Sequence, residues 1–334
     1  MSYVFGPVPS RRLGQSLGVD PVPAKTCNWN CVYCQIGRTR PLQNERREYF
    51  PREDILAAVR EALAAHAPGS IDWVSFVGSG ETTLNSGLGW LIRQVKRLTD
   101  IPIAVITNGS LLYLPGVRRE LMAADAVLPT LDAGSERLYR RINRPSPQLS
   151  FDRLVEGLRA FRRKYRGKLW VEVMLVRGLN DTDEALREIA AVLELVRPGC
   201  VHLSVPSRPP SEPWVQLPED SAISRAVAII GAVARVVQPA AAEYNLSAHQ
   251  DISGAIVDIV SRHPMSEDEL RLTLSRWSAA EVEQALDSLR AGGRVQVVER
   301  HGRRFWSSSS YRYTERCGCN PAPEICKRDE NKSL

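Results

Sequence analysis

From about residue 70 to residue 240 the chain alternates short apolar runs with longer stretches in which apolar positions recur every three to four residues. The runs at 73–77, 103–107, 126–131, 169–176 and 201–205 are nearly all apolar, the pattern of parallel strands covered on both faces. Residues 17–22 supply an earlier one. Helical periodicity at 52–65, 88–99, 115–123, 150–164, 182–196 and 219–236 separates these runs, so six β/α units follow one another. An open doubly wound sheet and a partial barrel both accommodate that spacing. The segment 208–218 contains Pro209, Pro210, Pro213 and Pro218 and cannot be a helix interior. It is expected as an extended loop leaving the sixth strand.

Beyond about residue 245 the pattern changes. Residues 251–262 read as a helix stopped by His263-Pro264, and Ser266 with Glu269 and Ser278 with Glu281 are capping boxes that open two more. Two β runs, 294–299 and 303–306, flank His301-Gly302 as a hairpin. Three helices and a hairpin predict a winged helix-turn-helix. The expected domains are therefore an α/β unit over 1–245, a winged helix over 246–310 and a cysteine-containing tail over 311–334.

With 43% apolar and 25% charged residues in 334, the chain has the composition of a globular protein. No apolar run approaches the roughly 20 residues needed to span a bilayer. Residues 1–9 show no signal-peptide pattern, so a soluble cytoplasmic protein with reduced thiols is expected, without a membrane partner. Six of the seven cysteines fall into two tight groups of three, which reads as metal ligation rather than disulfide pairing.

The first group, Cys27, Cys31 and Cys34, is spaced C-x3-C-x2-C in the loop after the first strand. Three thiolates leave one iron of a [4Fe-4S] cluster open to a non-protein ligand, and an open iron is a place for chemistry. The alternative is a zinc knot completed by a distant His or Cys. Gly78-Ser79-Gly80-Glu81-Thr82-Thr83-Leu84 follows the second strand directly, where a glycine turn exposes backbone amides and carbonyls.

In these two features, over roughly residues 1–245, the sequence resembles the radical SAM superfamily. The glycine turn stands in the place of that family's Gly-Gly-Glu-Pro motif, with Thr82 where proline is usual. The resemblance implies a partial (β/α)6 barrel in which S-adenosylmethionine binds the unique iron through its amino and carboxylate groups. It places Gly78, Gly80, Glu81 and Thr82 near the amino group, and Thr107, Asn108 and Asp132 at strand ends near the ribose and methionine moieties. Those strand-end residues also fit simple Asx turns. Tyr33 matches an aromatic position that packs near the adenine. More narrowly, the opening Phe5-Gly6-Pro7-Val8-Pro9-Ser10-Arg11-Arg12-Leu13-Gly14, with Ser207-Arg208-Pro209-Pro210, is similar to a branch grouped with wyosine-synthesis Fe-S oxidoreductases.

The implied activity is reductive cleavage of S-adenosylmethionine to a 5′-deoxyadenosyl radical that modifies a cytosolic substrate, an RNA base being one candidate. An electron donor such as flavodoxin or ferredoxin is the implied partner. Radical modification of a peptide or protein side chain is the second reading. An iron-sulfur redox-sensing regulator is the third, though a sensor would have no need of the glycine and strand-end motifs.

Charge bears on the substrate. The chain carries a net +6, and residues 1–50 hold seven basic side chains against three acidic ones. Arg137, Arg140, Arg141 and Arg144 form a second basic stretch. A solvated rim explains both; the sharper reading is an anionic substrate guided to the cluster by Arg11, Arg12, Arg38 and Arg40. Across 246–310 eight arginines face nine acids, and 279–291, the expected recognition helix, offers Glu281, Glu283 and Asp287 with only Arg290. Such a face repels phosphates, so substrate docking or packing on the barrel is favoured over duplex DNA. The second cysteine group, Cys317, Cys319 and Cys326, fits a second Fe-S cluster or a zinc site, or else reduced thiols in a tail. Cys200 is either its fourth ligand or a small core residue.

Overall fold

The computed structural model describes residues 3–237, 251–300 and 302–314. The apolar runs pair in chain order. β1 (Val4–Ser10) and β2 (Gly14–Val19) form an antiparallel hairpin, and from β2 onward each strand joins the next in parallel: β3 (Trp73–Phe76), β4 (Ile103–Thr107), β5 (Ala126–Pro129), β6 (Lys168–Met174), β7 (Cys200–Ser204) and β8 (Ala234–Val236). The helices are α1 (Arg52–Ala65), α2 (Leu88–Leu98), α3 (Pro115–Leu121), α4 (Glu136–Ile142), α5 (Phe151–Lys164), α6 (Asp183–Val196) and α7 (Asp220–Ile230).

All six expected strands are present, and two more flank them. β1 carries Pro7 and Pro9, which an edge strand tolerates because one row of its amides needs no partner. β8 replaces the end of what reads as one helix over 219–236: Gly231, at φ +83°, stops α7, and Ala234–Val236 returns to the sheet. Cys200 opens β7 half-buried, as a packed strand residue.

The two faces of the sheet differ. Val74, Phe76, Ile103, Val105, Val127, Leu169, Val171, Val173, Val201 and Leu203 belong to one continuous core that includes buried helix residues such as Leu91, Leu158 and Ile189. The opposite face holds a smaller apolar group, Leu13, Ala104, Ala126 and Leu128 with Trp73, Ile106 and Trp170. Ser16, Ser75, Glu172 and His202 alternate in register with that smaller group, so this face is partly polar. Arg12 makes an ion pair with Glu172, and the Arg11 guanidinium donates to Ser207 Oγ at 3.4 Å. β2 and β6 are four strands apart, ~19 Å on a flat sheet. The Arg12–Glu172 contact therefore requires the sheet to curl around its partly polar face into an open barrel.

The remaining residues build a second unit: α8 (Ile252–Val260), β9 (Met265–Ser266), α9 (Glu267–Thr273), α10 (Ala279–Ala291), β10 (Val295–Arg300) and β11 (Arg303–Ser308), with sheet order β10-β11-β9. Both capping boxes close as expected, at Ser266/Glu269 and Ser278/Glu281. Ile256, Leu270, Leu286 and Trp306 belong to its separate core.

The first residues assigned to the tail belong to this folded unit. Tyr311 is buried with its hydroxyl on Ser261 O, and Tyr313 OH donates to Gln35 O at 2.6 Å. Buried Arg300 donates to the carbonyls of Pro213 and Val215, joining the second unit to the proline-rich loop. Cys317, Cys319 and Cys326 lie outside the described residues. No helix among the described residues is long and apolar enough to cross a membrane.

Candidate functional site

Between β2 and α1 the chain runs for about thirty residues without a helix or a strand, apart from isolated bridges. It carries Cys27, Cys31 and Cys34, and its backbone finds partners on the neighbouring strand ends. Lys25 N donates to Ser79 O at 2.6 Å and Glu81 N to Thr26 O at 2.8 Å, which fastens the loop to the glycine turn. Gly80 is required there, since a Cβ would lie 2.1 Å from Thr26 O. Asp20 completes the junction by accepting from Ser79 N at 2.9 Å.

The three thiols and the turn Gly78–Gly80 line one cavity of about 210 Å³, together with Phe5, Asp20, Lys25, Trp29, Ile36, Val77, Arg262 and His263. Each sulfur has an N–H donor nearby. Trp29 N at 3.4 Å and Asn108 Nδ2 at 3.8 Å face Cys27 Sγ, Asn143 Nδ2 lies 3.7 Å from Cys31 Sγ, and Lys25 Nζ lies 3.7 Å from Cys34 Sγ.

Glu81 is buried beneath the turn. Its Oε1 accepts from Thr83 N, Thr83 Oγ1 and Thr107 Oγ1, and its Oε2 from Asn108 N at 2.6 Å. Burial pushes its carboxyl up from the usual range, and these hydrogen bonds oppose the shift. Thr83, Thr107 and Asn108 thus converge on Glu81, which ties the end of β4 to the turn. Thr82 Oγ1 donates to Ile106 O at 2.5 Å, a bond proline could not make. Asn108 Nδ2 also reaches Asn28 Oδ1 at 2.7 Å, and Asn28 Nδ2 reaches Ser110 Oγ at 2.8 Å.

Asp132 and Tyr33 meet each other. The tyrosine hydroxyl donates to Asp132 Oδ2 at 2.5 Å, Asn143 Nδ2 donates to the same oxygen at 2.7 Å, and Met174 N takes Oδ1 at 2.7 Å. Burial raises the Asp132 carboxyl to about 6 against these donors. Asp132 therefore acts as a hub behind Cys31, connecting β5, β6, α4 and the cysteine loop.

Sequence reading missed Asn143, Lys25, Asn28 and Glu212. Asn28 lies inside the cysteine motif and Lys25 two residues before it, so their positions were a signal; Asn143 and Glu212 are joined to the site only by folding. Glu212 is buried, and its carboxylate takes Arg38 Nε and Nη2 at 2.9 and 3.0 Å and Arg144 Nη1 at 2.5 Å. Its neighbour Ser211 donates to Cys31 O at 2.8 Å, so the proline-rich loop grips the cysteine loop. Of the four arginines expected to guide an anion, Arg38 and Arg12 are committed to Glu212 and Glu172, Arg11 turns to Ser207, and Arg40 is exposed.

Residues 22–190, half of the chain, match the Radical SAM superfamily. The chain belongs to the radical SAM superfamily. A UPF0026 protein of Methanocaldococcus jannaschii is 36% identical over 280 residues, covering 83% of this chain and 87% of that protein. A protein of Brachyspira hyodysenteriae named GTPase Obg is 40% identical over 223 residues, 67% of this chain, and the match spans only 32% of its length. A radical SAM methyltransferase from Sphaerobacter thermophilus shares 19% identity at a TM-score of 0.48, over 66% of each chain.

Three thiols lining one cavity are a soft donor set, and for this radical SAM enzyme the family implies that the group they suit is a [4Fe-4S] cluster. Burial, then the nearby Glu81 charge, pushes the Cys27 thiol up to about 12, and burial followed by the neighbouring thiols raises Cys31. As thiolates in this cavity they need a cationic partner.

Burial alone would raise the Glu212 carboxyl, but the hydrogen bonds and charges of Arg38 and Arg144 outweigh it and hold it below the usual range. A carboxyl depressed in the folded state stabilises above its unfolded range, and that contribution is lost as the pH falls from there through the depressed folded pKa. Glu212→Gln should therefore lower stability by about 1–3 kcal/mol at pH 7, and the gap should narrow progressively below about pH 4. Chemical denaturation at pH 7 and pH 3.5 checks this. A gap of equal size at both would show that the ion pairs contribute nothing.

Proposed function

We propose that this protein reductively cleaves S-adenosylmethionine at a [4Fe-4S] cluster held by Cys27, Cys31 and Cys34, to modify an anionic cytosolic substrate, with an RNA base the leading candidate. The shared cavity carries this reading, because three thiols and the glycine turn line one space. Held by Cys27, Cys31 and Cys34, a reduced cluster would supply the one electron that breaks a sulfonium C–S bond into methionine and a 5′-deoxyadenosyl radical able to take a hydrogen atom from the substrate.

The chain's own residues hold and shield that chemistry. Asn108, Asn143, Lys25 and Trp29 N direct N–H groups at the sulfurs, which favours the thiolate and tunes the cluster potential. The Gly78–Gly80 backbone offers its polar groups to the amino group of the cofactor, and Glu81 fixes that turn from below. Phe5, Trp29, Ile36 and Val77 keep water from the cavity. The partly polar barrel face is the substrate's place, and a flavodoxin- or ferredoxin-like donor supplies the electron.

We read the second unit as a winged helix that docks on the barrel. Its acidic α10 disfavours duplex DNA, and its turn at 261–264 is engaged by Gln35, Arg208 and Tyr311. The tail cysteines we assign to a second Fe-S cluster or a zinc site.

Cys31→Ala should abolish both the cluster's visible absorbance and 5′-deoxyadenosine formation in anaerobically reconstituted protein. Full cleavage in that variant would end the proposal. Metal analysis of a chain truncated after Thr314, which keeps Tyr311 and Tyr313 in place, should show less iron or zinc than the full chain; equal content would make the tail metal-free. Binding of cellular RNA should weaken steeply with salt, and Arg40→Glu should reduce that slope by about one counterion. Salt-independent binding, or none at low salt, would move the substrate to a peptide or a small molecule.

A further inference from the structure

The second unit reaches into the cofactor cavity. Arg262 and His263, from the turn after α8, line the cavity with the cysteines. Several contacts from outside the turn's own helix fix it there. Gln35 Nε2 donates to Arg262 O at 3.1 Å, Arg208 reaches Pro264 O, Tyr311 OH reaches Ser261 O, and the Arg262 guanidinium lies 4.5 Å from the centroid of the Phe5 ring. His263 N caps onto Ile259 O at 2.9 Å, and its ring meets Phe5 edge-on at 6.3 Å.

The imidazole is oriented as well as placed. Gln35 Nε2 stands 3.5 Å from His263 Nδ1, a long contact in which the amide donates and the ring nitrogen accepts. That arrangement puts the ring proton on Nε2. Among the described residues no hydrogen bond engages Nε2, and the residue lines the cavity. Burial, then Arg208, Arg262, Arg11 and Arg12, pushes the imidazole down to about 3, so it stands neutral in a positive surround.

We propose that His263 Nε2–H, backed by the charge of Arg262, is a binding contact for the carboxylate of S-adenosylmethionine, donated by the second unit into the cofactor cavity. The contact rests on the reading of this cavity as the S-adenosylmethionine site. The wall carries both signs, with Lys25 and Arg262 beside Asp20 and with Arg262 Nη1 also paired to Asp258 Oδ1 at 2.6 Å, so the uncharged Nε2–H adds a donor suited to the carboxylate oxygen that does not bind iron. The C-terminal unit is thereby part of the cofactor site.

The test compares two ligands in anaerobically reconstituted full-length protein: S-adenosylmethionine and its decarboxylated analogue, measured by equilibrium dialysis. His263→Ala should weaken S-adenosylmethionine at least about tenfold, leave the analogue within about twofold, and retain the cluster absorbance. His263→Gln, which keeps an N–H near the Nε2 position, should recover most of the loss. Should His263→Ala load no cluster, His263→Gln against His263→Phe gives the same contrast at matched bulk. Equal losses for both ligands, or none for either, would overturn the contact. Failure of the wild type to bind S-adenosylmethionine at all would instead sink the reading of the cavity.

Discussion

A loop of about thirty residues with no helix or strand of its own carries the three thiols, and everything else in the site depends on making it rigid. Its buried amides and carbonyls need partners as much as those of any strand. They find them one at a time: Ser79 and Glu81 on the glycine turn, Ile142 and Asn143 at the end of α4, Arg312 beyond β11. Each partner comes from a different element, so the loop's shape is set by how those elements are spaced around the barrel. A sheet that failed to curl would separate them, and the cysteines would lose their common cavity.

The same economy of contacts explains the buried charges. Glu81, Asp132 and Glu212 are all removed from water, where an unpaired carboxylate would be very costly. Each is saturated by donors that join distant pieces of chain: β4 to the turn, β6 and α4 to the cysteine loop, the proline-rich loop to both. Two have their carboxyl raised by burial against hydrogen bonds, and Glu212 alone is pulled below its usual range, because its partners are full positive charges. The ionised groups act as fasteners in the region where regular structure is absent.

Much of the architecture was legible in the chain because periodicity and capping are local. Six strands, both capping boxes and the helix stop at His263-Pro264 follow from neighbours in sequence, and so does the cysteine triplet. β1 and β8 were hidden for local reasons too, two prolines in one and a mid-helix glycine stop before the other. The reading of strands covered by apolar residues on both faces needed correction: the inner positions Ser16, Ser75, Glu172 and His202 are polar, single residues inside runs dominated by Val, Ile and Leu. Asn143, Glu212 and Arg262 carried no sequence signal, since their partners lie 112, 174 and 257 positions away at Cys31, Arg38 and Phe5. Arg38, expected to guide an anion, pairs with Glu212, an acid that only folding brings to it.

These contacts give the second unit a physical reason to remain attached. A barrel that is open along one edge, with β1 and β8 unpaired to each other, gives water a route to its interior. Radical chemistry tolerates that poorly, because a reactive centre exposed to solvent is quenched by side reactions. Here the unit built on α8 to β11 sets Arg262 and His263 in the cavity wall, with Tyr311 holding their turn at Ser261 O, while Arg300 clasps the loop leaving β7. What the second unit offers the barrel is therefore its turn at 261–264 and the segment 311–314, the two places where it meets the cysteine loop directly.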